Sequence, residues 1–233
     1  MPLVDLVTSS SLGSLLGMRH ALEPDHLAAV STLIRGERGG ARAAFLGVCW
    51  GLGHTLSLLL VGVALVTLRS EMPPSAADLF ECLVALMLIG LGVRAIMQAA
   101  RSGPDGPRHI HRHGRLVHSH PGSNGHVHIG AWTFARRPLI VGAIHGLAGS
   151  GALTALVLAT LPTTTARVSY MALFGLGSTF GMAALSGMLG WPLARVGANQ
   201  AVARAVTLLV GCVSTALGLF WGYTAAVALT ASF

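Results

Sequence analysis

The chain has 233 residues, of which 53% are hydrophobic and only 10% are charged. Its mean hydropathy is +0.69, whereas a soluble domain carries about 25% charged residues, so the composition argues against a soluble enzyme. The excess positive charge comes from 15 arginines, with no lysine, and these stand between apolar runs. That distribution is typical of membrane topology and not of nucleic-acid binding, so no nucleic-acid partner is expected. Three isolated cysteines (Cys49, Cys82, Cys212) predict neither a disulfide framework nor a thiolate metal site.

Six apolar segments are long enough to cross a bilayer, which takes about 20 residues. They run roughly over 3–33, 43–68, 78–100, 138–161, 168–193 and 204–230. The fold class that they predict is an all-α polytopic membrane protein with six transmembrane helices, in contact with the lipid bilayer.

The first segment is too long for one helix, because 31 residues would extend about 45 Å across a hydrocarbon core of about 30 Å. It also contains Arg19, His20, Glu23, Asp25 and His26, with Pro24 among them. Proline removes a backbone donor and interrupts a helix, so we expect a discontinuous helix broken near 21–24. In a continuous helix the side chains at 20, 25 and 26 would point in different directions, and the break allows them to converge.

Ionisable residues inside a membrane indicate a functional site. Imidazole nitrogens with one carboxylate suit nickel, cobalt or zinc, so His20, Asp25 and His26 predict a site for a divalent transition metal. Asp25 would offset part of the charge of the cation, and Glu23 would be a further ligand or a proton-coupling carboxylate. The alternative is a buried hydrogen-bonded network that only holds a kinked helix.

The later segments contribute further polar residues. His54 in the second segment and His145 in the fourth are added to the predicted metal ligands. Ser150, Ser178 and Thr179 form a secondary polar path, or else serve close helix packing. Between the third and fourth segments, a Gly- and Pro-containing linker with seven histidines predicts weak metal binding in an unstructured loop, the alternative being a solvated tether: His109, His111, His113, His118, His120, His126 and His128.

A weak internal repeat divides the chain. Residues 17–22 align with 142–147, which pairs His20 with His145, and residues 50–55 align with 174–179, which pairs Trp-Gly-Leu-Gly-His-Thr with Phe-Gly-Leu-Gly-Ser-Thr. We therefore expect a first three-helix repeat over 1–101, a His-rich cytoplasmic loop over 102–135 and a second three-helix repeat over 136–233. An odd number of spans in each unit inverts the second copy, the plan of many secondary transporters.

The arginines predict the orientation of the chain. If the loop after the first span is cytoplasmic, cytoplasmic loops and span ends hold eleven arginines, against Arg69 and Arg167 on the other side. This follows the positive-inside rule and predicts that both termini face the outside. The segment at the N-terminus has no basic region, so no signal peptide is expected.

The stretch Arg19-His-Ala-Leu-Glu-Pro-Asp-His26 resembles the RHAxDxDH signature of the nickel/cobalt transporter (NiCoT) family. Leu52-Gly-His-Thr55 is similar to that family's LGHS signature, and the HGLAGS stretch from His145 is similar to the compact six-span UreH-type nickel permease branch. The resemblance implies a permease of the bacterial cytoplasmic (inner) membrane that moves Ni²⁺, or next Co²⁺, with His20, Asp25, His26 and His54 in the metal path. The chain departs from the larger members, which have eight spans and carry acidic residues where 175–181 has hydroxyls.

Other functions besides uptake of nickel are compatible with parts of this sequence. Efflux of nickel or cobalt and metal sensing without transport stay open, because neither the histidine cluster nor the loop fixes direction. An intramembrane zinc protease would need an HExxH motif, which 20–26 lacks, so no enzyme is expected. No GxxxxGK[ST] motif is present, and no cofactor is expected apart from the transported metal. Cytoplasmic metallochaperones or metalloenzyme-maturation proteins are the expected partners.

Overall fold

A computed structural model describes residues 3–34, 39–101, 109–113, 116–120, 127–129, 132–196 and 199–231. Its helices are α1 (Leu3–His20), α2 (Pro24–Leu33), α3 (Gly40–Leu68), α4 (Pro74–Arg101), α5 (Arg136–Thr160), α6 (Thr164–Val196) and α7 (Gln200–Ala231). Each of the six predicted apolar segments thus corresponds to one helix, except the first, which is divided between α1 and α2.

Among the residues that the structure describes, four helices are long and apolar enough to cross a membrane: Gly40–Leu68, Pro74–Arg101, Thr164–Leu193 and Gln200–Thr230. Large apolar side chains on them are exposed, including Leu60, Leu86 and Phe220. Helices that are apolar on their outward faces as well as on their inward ones belong in lipid. The chain is therefore an integral membrane protein. Two predicted spans, α5 and the broken pair α1–α2, are not among these four.

The predicted break in the first segment is confirmed. α1 ends at His20, a turn follows over 21–23, and α2 begins at Pro24 in the first helical position, where proline loses no helical hydrogen bond. The carbonyl of His20 accepts from the backbone N–H of Glu23 at 3.1 Å, which tightens the turn. This turn places His20 at the end of one helix and His26 in the first turn of the next.

Close helix packing depends on glycines that face backbone. α3 packs against α5 and α6, α1 packs against α6, and α4 packs against α7. A Cβ on Gly17 would clash with the carbonyl oxygen of Phe174, and a Cβ on Gly142 would clash with that of Trp50. These contacts hold α1 on α6 and α5 on α3 at backbone distance, and so draw together the helices that carry the histidines.

The buried apolar residues form two separate clusters. The Trp50 cluster includes Ile34, Ala43, Val141 and Met182. The Phe174 cluster is built from other residues: Leu58, Val66, Leu153, Val157, Tyr170, Met171 and Phe174. Each cluster therefore provides an apolar core of its own on a different part of the bundle.

The segment between α4 and α5 contains short strands, which the sequence interpretation of an unstructured loop did not include. Strand β1 (His109–His113) pairs antiparallel with β2 (Leu116–His120), and β3 (Val127–Ile129) pairs antiparallel with β4 (Trp132–Phe134). The all-α prediction therefore holds for the helical bundle and is wrong for this connection. The histidines at alternate positions of 109–113 have the two-residue period of a strand, a signal that composition alone does not contain.

Candidate metal site

Five predicted site residues meet at one place in the bundle. His20 comes from the end of α1, Asp25 and His26 from the start of α2, His54 from α3 and His145 from α5. His26, His54 and His145 are at most 2% exposed and Asp25 is 9% exposed. Burying ionisable side chains within a membrane protein costs free energy, so their presence here indicates a functional site.

Three of the histidines converge on a common point. One ligand atom each from His20, His26 and His54 can be chosen so that all lie within 4.8 Å of one another. The ring centroid of His20 lies 4.5 Å from that of His26 and 5.2 Å from that of His54. The ring centroids of His26 and His54 are 5.5 Å apart. Three imidazoles at these separations match the donor set of nickel, cobalt or zinc.

Ring nitrogens in this group have lone pairs to offer. His20 Nε2, His26 Nε2 and both nitrogens of His54 are buried and have no hydrogen-bond partner among the described residues. Buried polar atoms are nearly always paired, so four such atoms in three neighbouring rings need an explanation. A bound cation provides one for a single nitrogen of each ring, because it pairs with the nitrogen that has the lone pair.

The two carboxylates contact imidazoles in the structure. Asp25 Oδ1 accepts from His26 Nδ1 at 2.9 Å, and Asp25 Oδ2 accepts from His145 Nε2 at 3.0 Å. Glu23 Oε1 lies 2.9 Å from His20 Nδ1. A carboxylate can only accept, so each of these ring nitrogens carries the proton and the opposite nitrogen has the lone pair. The carboxylates thus fix the tautomers that leave His20 Nε2 and His26 Nε2 free to bind a metal.

A second group overlaps the first. Ligand atoms of Asp25, His26 and His145 also lie within 4.8 Å of one another. The rings of His26 and His145 are stacked, with centroids 4.4 Å apart and planes at 19°, and His145 Nδ1 is buried without a partner among the described residues. His26 therefore belongs to both groups and connects them.

Two aromatic rings and one glycine complete the surroundings, and the sequence interpretation missed all three. The Phe174 ring centroid lies 5.4 Å from that of His20, and the Trp50 ring lies 5.4 Å from His26. A Cβ on Gly149 would lie 3.8 Å from His20 Nε2, so α5 leaves space beside that nitrogen. Aromatic residues and glycines are common in apolar segments. The alignment of Trp50 with Phe174 in the repeat is the signal that could have identified the two rings, and Gly149 has none.

The hydroxyls of the predicted polar path have different environments. Ser150 Oγ donates to the carbonyl of Leu147 one turn back at 2.6 Å. Thr179 Oγ1 lies 2.9 Å from Thr55 Oγ1 across the α3–α6 contact. Ser178 is fully buried and its Oγ has no partner among the described residues. Ser150 thus bonds within its own helix and Thr179 makes a contact of the kind seen between membrane helices, whereas Ser178 keeps an uncommitted oxygen.

The predicted loop ligands lie apart from this group in the chain. The pairing of β1 with β2 sets His109 opposite His120 and His111 opposite His118, while His113 is opposite Leu116. His128 lies in β3, and His126 is outside the described residues. The register brings four of the seven histidines into two cross-strand positions.

Comparison with known proteins finds relatives over almost the whole chain. The model of the NicO family, described as high-affinity nickel-transport protein, matches residues 7–231. The chain is 31% identical to the urease accessory protein UreH of Bacillus sp. (strain TB-90), over 97% of this chain and 96% of that protein. It is 27% and 26% identical to the Arabidopsis thaliana chloroplast proteins FOR GROWTH AND FERTILITY 2 and 1, over 80% and 79% of this chain but only 48% and 50% of those proteins. No solved structure matches it. The chain belongs to the NicO family of high-affinity nickel-transport proteins.

Proposed function

We propose that this nickel transporter takes Ni²⁺, and next Co²⁺, into the cytoplasm through the His20–His26–His54 group, with Asp25 and Glu23 orienting the ligands and His145 receiving the ion. Transport itself follows from the family. The observation that carries the site is the set of buried, unpartnered ring nitrogens that face one another in this group.

The donor set favours a borderline transition metal. Imidazoles predominate and the nearest carboxylates are engaged with ring N–H groups, so a calcium or magnesium ion would find too few oxygens. Nickel and cobalt bind well to imidazole. We therefore propose that Mg²⁺ and Ca²⁺ compete poorly with Ni²⁺.

We propose that the chain consists of two inverted three-helix repeats, an arrangement that would place the site near the centre of the membrane. The contact of Gly17 with Phe174 and that of Gly142 with Trp50 are the same contact made twice, because 17 aligns with 142 and 50 aligns with 174. Thr55 and Thr179, which are also aligned, pair with each other at 2.9 Å.

The repeat relation extends to other packed pairs. Gly177 faces the backbone of Ser14, while Gly53 faces that of Leu139, and these pairs exchange under the same alignment. Reciprocal contacts of this kind are expected when two copies of a unit pack about a two-fold axis. The six-span architecture then includes α5 and the broken α1–α2 helix as spans, both lined by the polar residues of the site.

Orientation and location follow from the arginines. Eleven of them lie in the loops and span ends that would face the cytoplasm. We propose the bacterial cytoplasmic membrane, with both termini outside and the 102–135 loop inside. The loop histidines would then bind delivered nickel on the cytoplasmic side, and the urease accessory name of the Bacillus relative suggests maturation of a nickel enzyme as the destination.

The test is uptake of radioactive nickel by cells that express the chain or its variants. His20→Ala and Asp25→Ala should abolish the uptake that expression confers, whereas His118→Ala in the loop, the matched control, should leave it intact. Nickel accumulation that falls below the level of cells without the protein would instead establish efflux. Binding of nickel by the purified protein without flux in liposomes would establish sensing, and unchanged uptake in both site variants would refute the site.

A further inference from the structure

Two aromatic rings contact the histidines of the site from different helices. Phe174 on α6 lies 5.4 Å from His20, measured between ring centroids. Trp50 on α3 lies 5.4 Å from His26 and 5.9 Å from His145. Neither ring can bind a metal ion as a ligand, so their place beside the site calls for another role.

The two rings occupy equivalent positions in the two repeats. Trp50 and Phe174 each precede a Gly-Leu-Gly stretch, and the carbonyl of each is approached by the aligned glycines Gly142 and Gly17. Two positions related by a two-fold axis in the membrane plane lie on opposite sides of that plane. The rings are therefore expected to face the site from opposite sides of the membrane.

The depth of each ring agrees with this placement. Trp50 follows the start of α3 at Gly40 by ten residues, and Phe174 follows the start of α6 at Thr164 by ten residues. Each lies about 15 Å along its helix at 1.5 Å per residue. With α3 entering from the cytoplasm and α6 from the outside, Trp50 is on the cytoplasmic side of the site and Phe174 is on the outer side.

Each ring also belongs to a different apolar cluster. The Phe174 cluster contains Val66, near the outer end of α3. The Trp50 cluster contains Ile34 and Ala43, near the cytoplasmic ends of α2 and α3. A dication cannot cross a dry apolar layer without strong cost, so both layers must open at some point in the transport cycle for the metal to pass.

We propose that Phe174 and Trp50 are the two gates of the metal path, Phe174 on the outer side and Trp50 on the cytoplasmic side. The inference rests on the proposed transport through the histidine group and adds the residues that control access to it. Displacement of Phe174 exposes His20 to the outside, and displacement of Trp50 exposes His26 and His145 to the cytoplasm. Because His26 belongs to both three-residue groups, the ion passes from one side to the other without losing all its protein ligands.

Access to the site can be measured with an introduced thiol. Gly149→Cys places a Cβ about 3.8 Å from His20 Nε2, an ordinary contact distance. In this background the native cysteines (Cys49, Cys82, Cys212) are replaced by alanine. A membrane-impermeant cationic thiol reagent is applied to spheroplasts, which present the outer face, and to inside-out vesicles, which present the cytoplasmic face.

Opening a gate should raise the labelling rate from one side only. Phe174→Ala should raise it in spheroplasts and Trp50→Ala in inside-out vesicles, by roughly 10- to 1,000-fold, since an open state populated at about 0.1–10% becomes dominant. Phe180→Ala and Trp191→Ala remove rings that are 65% and 56% exposed, and should change neither rate. Phe174→Leu and Trp50→Phe keep a large apolar side chain at each position and serve as controls for misfolding. Their thiols should react more slowly than those of the alanine variants.

The outcomes separate this proposal from the proposed function. Unchanged labelling in both alanine variants, or a rise on the same side in both, would overturn the gates, as would a rise on the exchanged sides. Protection of the thiol by added Ni²⁺ would at the same time uphold the metal site. If Ni²⁺ does not protect the thiol and nickel uptake is insensitive to His20→Ala, the metal site is overturned. The labelling rates without nickel would still test the gates.

Discussion

Asp25 is the residue whose substitution tests the division of roles in the site. Its carboxylate accepts from His26 Nδ1 at 2.9 Å and from His145 Nε2 at 3.0 Å. Asparagine has nearly the same shape but offers one acceptor oxygen and one NH₂ donor. In Asp25→Asn, one of the two imidazoles must therefore accept a hydrogen bond, which moves its proton to the other ring nitrogen. If that ring is His26, the proton occupies the Nε2 atom that would bind the metal.

The expected loss of metal affinity follows from the role of a carboxylate that accepts a hydrogen bond from a metal-binding histidine. Removing such a group costs about 10- to 100-fold in metal affinity, or about 1.4–2.8 kcal/mol at 1.4 kcal/mol for each factor of ten. We expect Asp25→Asn to fall in the upper part of this range, because the carboxylate is 9% exposed and orients two imidazoles at once.

The assay is calorimetric titration of the purified protein in detergent with Ni²⁺. Asp78→Asn is the matched control, since Asp78 lies in the first turns of α4, outside the site, and its affinity should equal that of the parent protein. A variant that folds as judged by size-exclusion chromatography and binds Ni²⁺ as tightly as the parent would refute the role given to Asp25.

The remaining predictions concern orientation, packing and the loop. Glu23→Gln should weaken Ni²⁺ binding less than Asp25→Asn, because Glu23 is 53% exposed and glutamine can still accept from His20; an equal or larger loss in the same titration would contradict this ranking. Gly142→Ala should lower the free energy of unfolding in detergent by about 1–3 kcal/mol, because the added Cβ overpacks against the Trp50 carbonyl. Gly90→Ala should leave it unchanged, because a Cβ there would meet nothing within 4 Å. Replacing the seven loop histidines by serine should leave the initial rate of nickel uptake in cells unchanged, and a lost rate would place the loop in the transport path.

The helix break could be predicted from the sequence because its cause is local. A proline within an apolar run that is too long for the bilayer identifies both the interruption and its position. The association of His145 with Asp25 also had a sequence signal, since the repeat aligned His145 with His20. The periodicity of one segment otherwise gives no information on its distance from a segment that is far away in the chain.

The roles of the carboxylates could not be predicted. The sequence indicated that Asp25 and Glu23 stood among histidines, and ligation was the simplest interpretation. Whether a carboxylate faces a metal or a ring N–H depends on rotamers and on the exact turn at 21–23, which only the structure provides. His20 and His26 present Nδ1 to their carboxylates, and this choice decides which nitrogen is left for the ion.

The most direct test of the central claim is X-ray absorption spectroscopy at the nickel edge on the purified, nickel-loaded protein. Ligation by His20, His26 and His54 predicts a first shell of nitrogen and oxygen atoms with the outer-shell scattering of several imidazole rings. His54→Ala should reduce the imidazole contribution by one ring, while His118→Ala in the loop should not change it. A spectrum without imidazole scattering, or one that His54→Ala leaves unaltered, would contradict a nickel site in the centre of this bundle.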